Sequence, residues 1–322
     1  MKHLRFFVVL FGMLACLPAS RAGGLDLTGY ADDTGAISIQ HNGNTIDPYF
    51  TLQALLLAHE HELDISAYAV KWANWMLARQ KPDATFDRFC RNGPVWAACK
   101  TADADDSLLA LWLKFLETMP AELKRNAKWQ KSHAAASASL ARLVDPARGI
   151  YLVSPVYQHG LFMDNLEVWT YKPAHGGAQN LKHPNFGRAI HKAFWDEAGQ
   201  RFLVSTQAEQ KDTEHAFYPD AVAQIFPLLV TYTPIPGGER AYYREWMNRH
   251  RSDWLKQVRH DFAWGLVAVV ALRQNDPVSA QCWISRTLPY RHTVHWTVTD
   301  EVVLQILRTK LPSGTADEKA CQ

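Results

Sequence analysis

The sequence predicts an all-α fold in which helical hairpins close into a ring, with a few short β segments confined to loops. Three observations predict it. Apolar helical runs with acidic starts recur near Asp47, Asp105, Asp164, Asp220, Asp261 and Asp300. The first three intervals are 58, 59 and 56 residues, and the last two are 41 and 39. More polar helical runs alternate with the apolar ones, as an outer layer alternates with an inner one. In such a ring the inner helices run parallel and their N-termini meet at one mouth. Asp47, Asp103, Asp105, Asp164, Glu167, Asp220, Asp261 and Asp300 then surround a common cleft. An open solenoid or bundle with six unrelated helix caps is the competing arrangement.

The composition is that of a globular protein, 48% hydrophobic and 20% charged with a net charge of +2. Scattered Lys and Arg argue against a nucleic-acid partner. Lys2, His3 and Arg5, the apolar run Phe6 to Leu17 and Ser20-Arg21-Ala22 read as a signal peptide cleaved near Ala22. A lipidated Cys16 is the alternative. No later run is apolar for long enough to be transmembrane. The expected product is a periplasmic or secreted protein. Export into an oxidising compartment makes the four remaining cysteines candidates for disulfides, Cys90 with Cys99 first and Cys282 with Cys321 second. No Cys/His spacing suggests zinc, so no metal or cofactor is expected.

The expected layout is residues 1–22 signal peptide, 23–44 irregular lead-in, 45–312 one catalytic ring and 313–322 a tail. Asp47-Pro48 opens the first helix as a capping Asp with Pro at the first position. That helix is apolar nearly all round to His59, so it is buried on several faces. The second helix starts at Asp64 and carries Trp72 and Trp75. A loop and the cysteine segment around Asn92-Gly93-Pro94 lead to Asp103, Asp105 and Asp106, three carboxylates before the apolar run Leu108 to Leu116. Ala121 to Val144 reads as a long outer helix. Polar helices are expected at Pro184 to Glu197, Glu239 to Val258 and Pro277 to Leu288, with β-like segments at Gly149 to Val156 and Arg201 to Ser205.

Ala102-Asp103-Ala104-Asp105, followed by an apolar helix, resembles a motif of glycoside hydrolase family 8. Tyr218-Pro219-Asp220-Ala221, followed by an apolar helix containing Pro227, resembles a second, with one inserted residue. The resemblance implies an (α/α)6 toroid of six hairpins and a glycosidase. It makes Asp103 the aspartate bound to the distorted sugar and Asp220 the general base. The family's general acid is a glutamate before the first inner helix. This chain has Asn42-Gly43-Asn44-Thr45-Ile46-Asp47 there, which leaves Asp47 or Glu167 to supply the acid.

Glycosidic hydrolysis needs one protonated and one ionised carboxyl, and a ring of acidic helix starts supplies both. Asp105 and Asp164 are further substrate-binding candidates, as is Arg88, beside Asp87. Tyr49, Trp169, Tyr218 and Trp264 offer stacking faces for sugar rings, against the competing role of core packing. The expected partner is a polysaccharide or oligosaccharide, with envelope polysaccharide machinery as a possible setting. A polysaccharide lyase of the same fold, using His159, His175, His215, His260, Tyr157 or Tyr218, is a second reading; acidic sugars fit a carboxylate cleft poorly. A non-catalytic carbohydrate-binding or export subunit is a third. His59-Glu60-His61-Glu62 lacks zincin spacing and reads as a solvated helix end. Asn165 reads as a cap partner or a substrate contact.

Overall fold

The computed structural model describes residues 23–171, 183–210, 216–312 and 318–321. The expected signal peptide, His175 and His215 lie outside them, as does most of the tail. Six apolar helices form the inner layer: α1 (Pro48–Glu60), α3 (Asp105–Thr118), α6 (Phe162–Thr170), α8 (Val222–Leu229), α10 (Gly265–Arg273) and α12 (Val298–Lys310). Each packs on the next, and α12 packs back on α1, so the ring is closed. Between them run α2 (Ser66–Leu77), α4 (Ala121–Lys124) with α5 (Ala127–Arg142), α7 (His183–Phe194), α9 (Glu239–Trp254) and α11 (Pro277–Thr287). Of these, α5, α7, α9 and α11 pack outside α3, α6, α8 and α10 respectively. The fold is thus an all-α toroid, and the open solenoid is excluded by the α12–α1 contact.

The core lies between the two shells. Trp72, Trp112, Trp254, Trp283 and Trp296 are fully buried there, so much of the aromatic content is structural. α1 buries Leu52, Leu55, Leu56 and Leu57, which is why it shows almost no polar face. The expected helix over Ala121 to Val144 is broken at Asn126, whose side chain caps α5 by accepting from the Lys128 N–H.

The lead-in takes the place of an outer helix at the seam between α12 and α2. Asp26 exchanges two hydrogen bonds with Gln305 of α12, and the Leu27 N–H donates to the Tyr68 hydroxyl of α2. The Val298 N–H at the start of α12 donates to the Ile39 carbonyl. Its backbone needs are therefore met by its own turns and by the ring rather than by a helix of its own.

The expected cysteine loop is an antiparallel sheet. β1 (Thr45–Ile46) pairs with β2 (Asp87–Asn92), which pairs with β3 (Val95–Thr101). The Cys90–Cys99 disulfide joins β2 to β3, and Cys282–Cys321 ties the chain end to α11. The segment Gly149 to Val156 contributes a single bridge, Val144 with Tyr151, rather than a strand. A short hairpin, β4 (Trp195–Asp196) with β5 (Arg201–Phe202), supplies the later β segment.

Asp300 joins two inner helix starts. Its carboxylate forms a capping box with Thr297 and accepts the Gly265 N–H that opens α10. A side chain at Gly265 would meet Trp283 at 2.8 Å and Asp300 at 3.0 Å, so only glycine lets the two termini approach. Asp300→Ala removes the reciprocal half of the capping box and leaves the buried Gly265 N–H without a partner. It should destabilise the protein by about 2–3 kcal/mol, read by urea unfolding.

Candidate active site

The N-termini of all six inner helices converge on one mouth. Asp47 caps α1 and Asp103 precedes α3. Arg88 on β2 reaches both, with Nε 2.6 Å from Asp47 Oδ2 and Nη2 3.5 Å from Asp103 Oδ2. A β-bulge between Arg88 and Phe89 interrupts the β2–β3 register at this residue. The two carboxylates differ. The Asp47 side chain is 5% exposed and that of Asp103 is 83% exposed. Both Asp47 oxygens are engaged, Oδ1 by the Tyr49 N–H and Oδ2 by Arg88. Burial raises the Asp47 pKa, and Arg88 offsets part of that rise.

Three carboxyls lie deeper. Asp106 on α3 is fully buried, and neither oxygen has a hydrogen-bond partner among the described residues. Burial, reinforced by Asp164, pushes its pKa well above the ordinary carboxylate range. Asp164, half-buried on the first turn of α6, has one oxygen, Oδ2, shielded and without a partner among the described residues. Burial, and then the charge of Asp103, raises its pKa to about 7. Glu167, one turn on, is 3% exposed. Its Oε1 accepts the Tyr49 hydroxyl at 2.7 Å, and Gln53 donates to that hydroxyl at 2.9 Å. Burial and Asp164 hold Glu167 well above its usual range too. Burial and mutual repulsion thus favour the protonated form at all three carboxyls.

Asp105, by contrast, is turned away. Its charged neighbours are Lys81, Asp83 and Asp87 rather than the cluster, and burial raises its pKa. Asp87 itself pairs with Lys81 at 3.0 Å. Asp106 is the residue that sequence reasoning leaves out of the site, although it stands in the same acidic run. Helix phase carries the signal. Asp105 shares its stripe with Trp112, seven residues on, whose indole donates to Ser132 of the outer helix α5.

Asp220 lies in a tight turn, Phe217–Ala221, that opens α8, with its Oδ2 shielded from solvent. Tyr218 in that turn is 49% exposed and stacks on Trp264, ring centres 5.0 Å apart. Desolvation, and then the carboxylates of Asp164, Asp103, Glu167 and Asp261, push its phenol up to about 12. Trp264 adopts a left-handed backbone, φ 52°, unusual for so bulky a residue. The Asp261 carboxylate accepts its indole N–H at 3.0 Å and its carbonyl accepts from the Trp254 indole. Tyr49, Tyr218 and Trp264 are therefore at the mouth. Trp169 is not: it sits near the C-terminal end of α6, against Phe186 and Tyr232.

His159 lines a separate surface hollow with Arg148 and Tyr157, and His260 is exposed on the loop before α10. Among the described residues no group of three or more His, Cys, Asp or Glu side chains is arranged to hold a metal ion. Asn165 is wholly structural. It donates to the Tyr151 and Leu161 carbonyls and accepts the Tyr151 N–H.

No protein-family description matches the chain, and no curated protein matches its sequence. Among solved structures it is similar to the crystal structure of GH63 mannosylglycerate hydrolase from Thermus thermophilus in complex with glucose. The TM-score is 0.50 at 10% identity, over 88% of this chain and 97% of that one. At that identity the likeness shows the fold alone, an all-α toroid of helical hairpins. The two disulfides are compatible with an extracellular or periplasmic protein. No helix among the described residues is long and apolar enough to cross a membrane.

The charges of the mouth can be tested directly. Arg88→Met leaves buried Asp47 without its cation and should cost about 2–4 kcal/mol in denaturant melts at pH 7. Adding Asp47→Asn should recover most of that loss. Asp164 titrates near its ordinary 3.8 when unfolded and at about 7 when folded. The folded state therefore holds the extra proton between those values, so this residue's contribution to stability falls as pH rises from about 4 to about 7. Thermal melts of Asp164→Asn across that window should show a shallower decline than the parent protein.

Proposed function

We propose that the protein is an exported glycoside hydrolase, with residues 45–312 as its catalytic domain and a neutral polysaccharide or oligosaccharide as substrate. The observation that carries this reading is the pairing at one mouth of a carboxyl that keeps its proton near neutral pH, Asp164, with a solvent-facing carboxylate, Asp103. In the reaction the Asp164 proton passes to the leaving glycosidic oxygen as the carbon–oxygen bond breaks. Asp220 takes a proton from the water that attacks the anomeric carbon. Asp103, steadied by Arg88, binds the sugar hydroxyls. Tyr218 and Trp264 present the stacked aromatic surface on which a ring lies.

Asp47 suits a fixed structural charge better than the acid, because both of its oxygens are committed. Glu167 and Asp106 are too enclosed to reach a substrate, and they serve as neutral support behind Asp164. The similarity to family 8 rests on the two short motifs, and the toroidal fold is in keeping with it. A lyase needs a base ready to ionise. The Tyr218 phenol is moved the opposite way, and the surrounding carboxylates disfavour a uronic acid.

The test is release of new reducing ends from β-glucans, chitosan and bacterial exopolysaccharides. On a responsive substrate, Asp164→Asn and Asp220→Asn should each lower kcat by about 10²–10⁴ with the fold intact. Asp164→Asn should also remove the loss of activity near pH 7 on the alkaline side. Binding without turnover across the panel would overturn the reading in favour of a carbohydrate-binding protein.

A further inference from the structure

Two exposed apolar side chains stand together on the mouth face of the ring. Val156 and Tyr157, 80% and 63% exposed, form the tip of the loop 153–160. This loop bridges the starts of two inner helices. At its base the Val153 carbonyl accepts the Asp105 N–H that opens α3, at 2.8 Å, and the Val153 N–H donates to the His159 carbonyl at 2.9 Å. Gly160 exchanges two hydrogen bonds with Thr206, and α6 begins at Phe162. The tip is fixed as well: the Ser154 hydroxyl accepts the N–H groups of Val156 and Tyr157 at 3.2 and 2.9 Å. The apolar pair is thus held out in solvent by a backbone whose own bonds set its course.

Beside the tip lies a hollow of about 420 Å³, lined by Arg148, Val156, Tyr157, His159, Thr206 and Gln207. Its chemistry suits a neutral, hydroxyl-rich ligand. Tyr157 offers an aromatic face for C–H groups, and Thr206 and Gln207 offer hydroxyl and amide partners. Among the described residues no carboxylate lines it, and the Arg148 charge is met by Asp145. Burial, and then that guanidinium, lower the His159 pKa and favour its neutral form. We infer that this hollow is a distal subsite, where one ring of a polysaccharide lies on Tyr157 while another part of the same chain occupies the mouth. The inference depends on the hydrolase reading and narrows it to substrates long enough to span both places. Continuity is what assigns the occupant. The base of the loop is bonded to Asp105, two residues after Asp103, and seven residues carry the chain from Tyr157 to Asp164, a reach of at most about 25 Å. A loop already fixed in shape gives up little freedom when the sugar settles on it.

Kinetics on a responsive polysaccharide, set beside the shortest oligosaccharide the protein cleaves, read the subsite. Tyr157→Ala should raise KM for the polymer by about threefold to tenfold and leave kcat within about twofold. On the short substrate both constants should stay as in the parent protein. Tyr157→Phe should restore the parent KM, because the ring face is kept, and thermal melts of both variants should match the parent. Equal losses on both substrates, or no loss on the polymer, would overturn the inference. Affinity electrophoresis in gels containing β-glucan, chitosan or exopolysaccharide needs no turnover, and so separates this inference from the hydrolase reading. Retardation that Tyr157→Ala weakens, without hydrolysis of any polysaccharide, supports the subsite and removes the hydrolase. Hydrolysis with retardation unchanged in Tyr157→Ala does the reverse, and neither retardation nor hydrolysis overturns both. A dimer in sedimentation that Tyr157→Ala dissociates would give the tip to a second copy of the chain and overturn the subsite.

Discussion

Six parallel inner helices impose one electrostatic constraint on everything else in this protein. Their N-termini bring unpaired N–H groups and positive dipole ends to a single mouth. Carboxylates are the simplest partners for such termini, and several are spent that way. Asp47 caps α1, and Asp300 completes the Thr297 capping box of α12 while holding the start of α10. What remains after capping is what makes chemistry available. Asp106, Asp164 and Glu167 crowd together with little solvent, and burial and repulsion push all three towards the protonated form. At the opposite end the constraint inverts, and Lys114 and Arg273 stand among the C-terminal carbonyls with Glu60 between them.

The helical ring was legible because its two signals are independent: an apolar period along each inner helix, and the recurrence of acidic starts. Both follow from burial and capping, which act locally in sequence. The β2–β3 sheet was not legible. Nearly all of β3 is exposed, and only Trp96 is buried, so no alternation marks it as a strand. Its contribution, the delivery of Arg88 to two aspartates, depends on pairing with a distant partner strand.

The site was legible in kind and less so in detail. An acidic run of three residues announces a crowded helix start. Which carboxyl faces the ring depends on helix phase, and a rotation of about 100° separates Asp105 from Asp106. Nearness to Asp164 in sequence suggests the mouth for Trp169. Five residues along a helix is about 7.5 Å of rise, enough to carry it to the other end of the nine-residue α6. Glu167 lies between those levels, one turn behind Asp164 and bonded to the Tyr49 hydroxyl.

The seam where α12 meets α1 has a consequence for how the chain acquires its shape. Asp26 bonds to a residue 279 positions later, and the last inner helix is the neighbour of the first. A nascent chain that has not yet made α12 has an open ring with α1 bare on one side. Closure must wait for α12, and the chain-entropy cost of joining such distant segments falls late. The acids of the mouth gain their full shared environment only when the circle is completed.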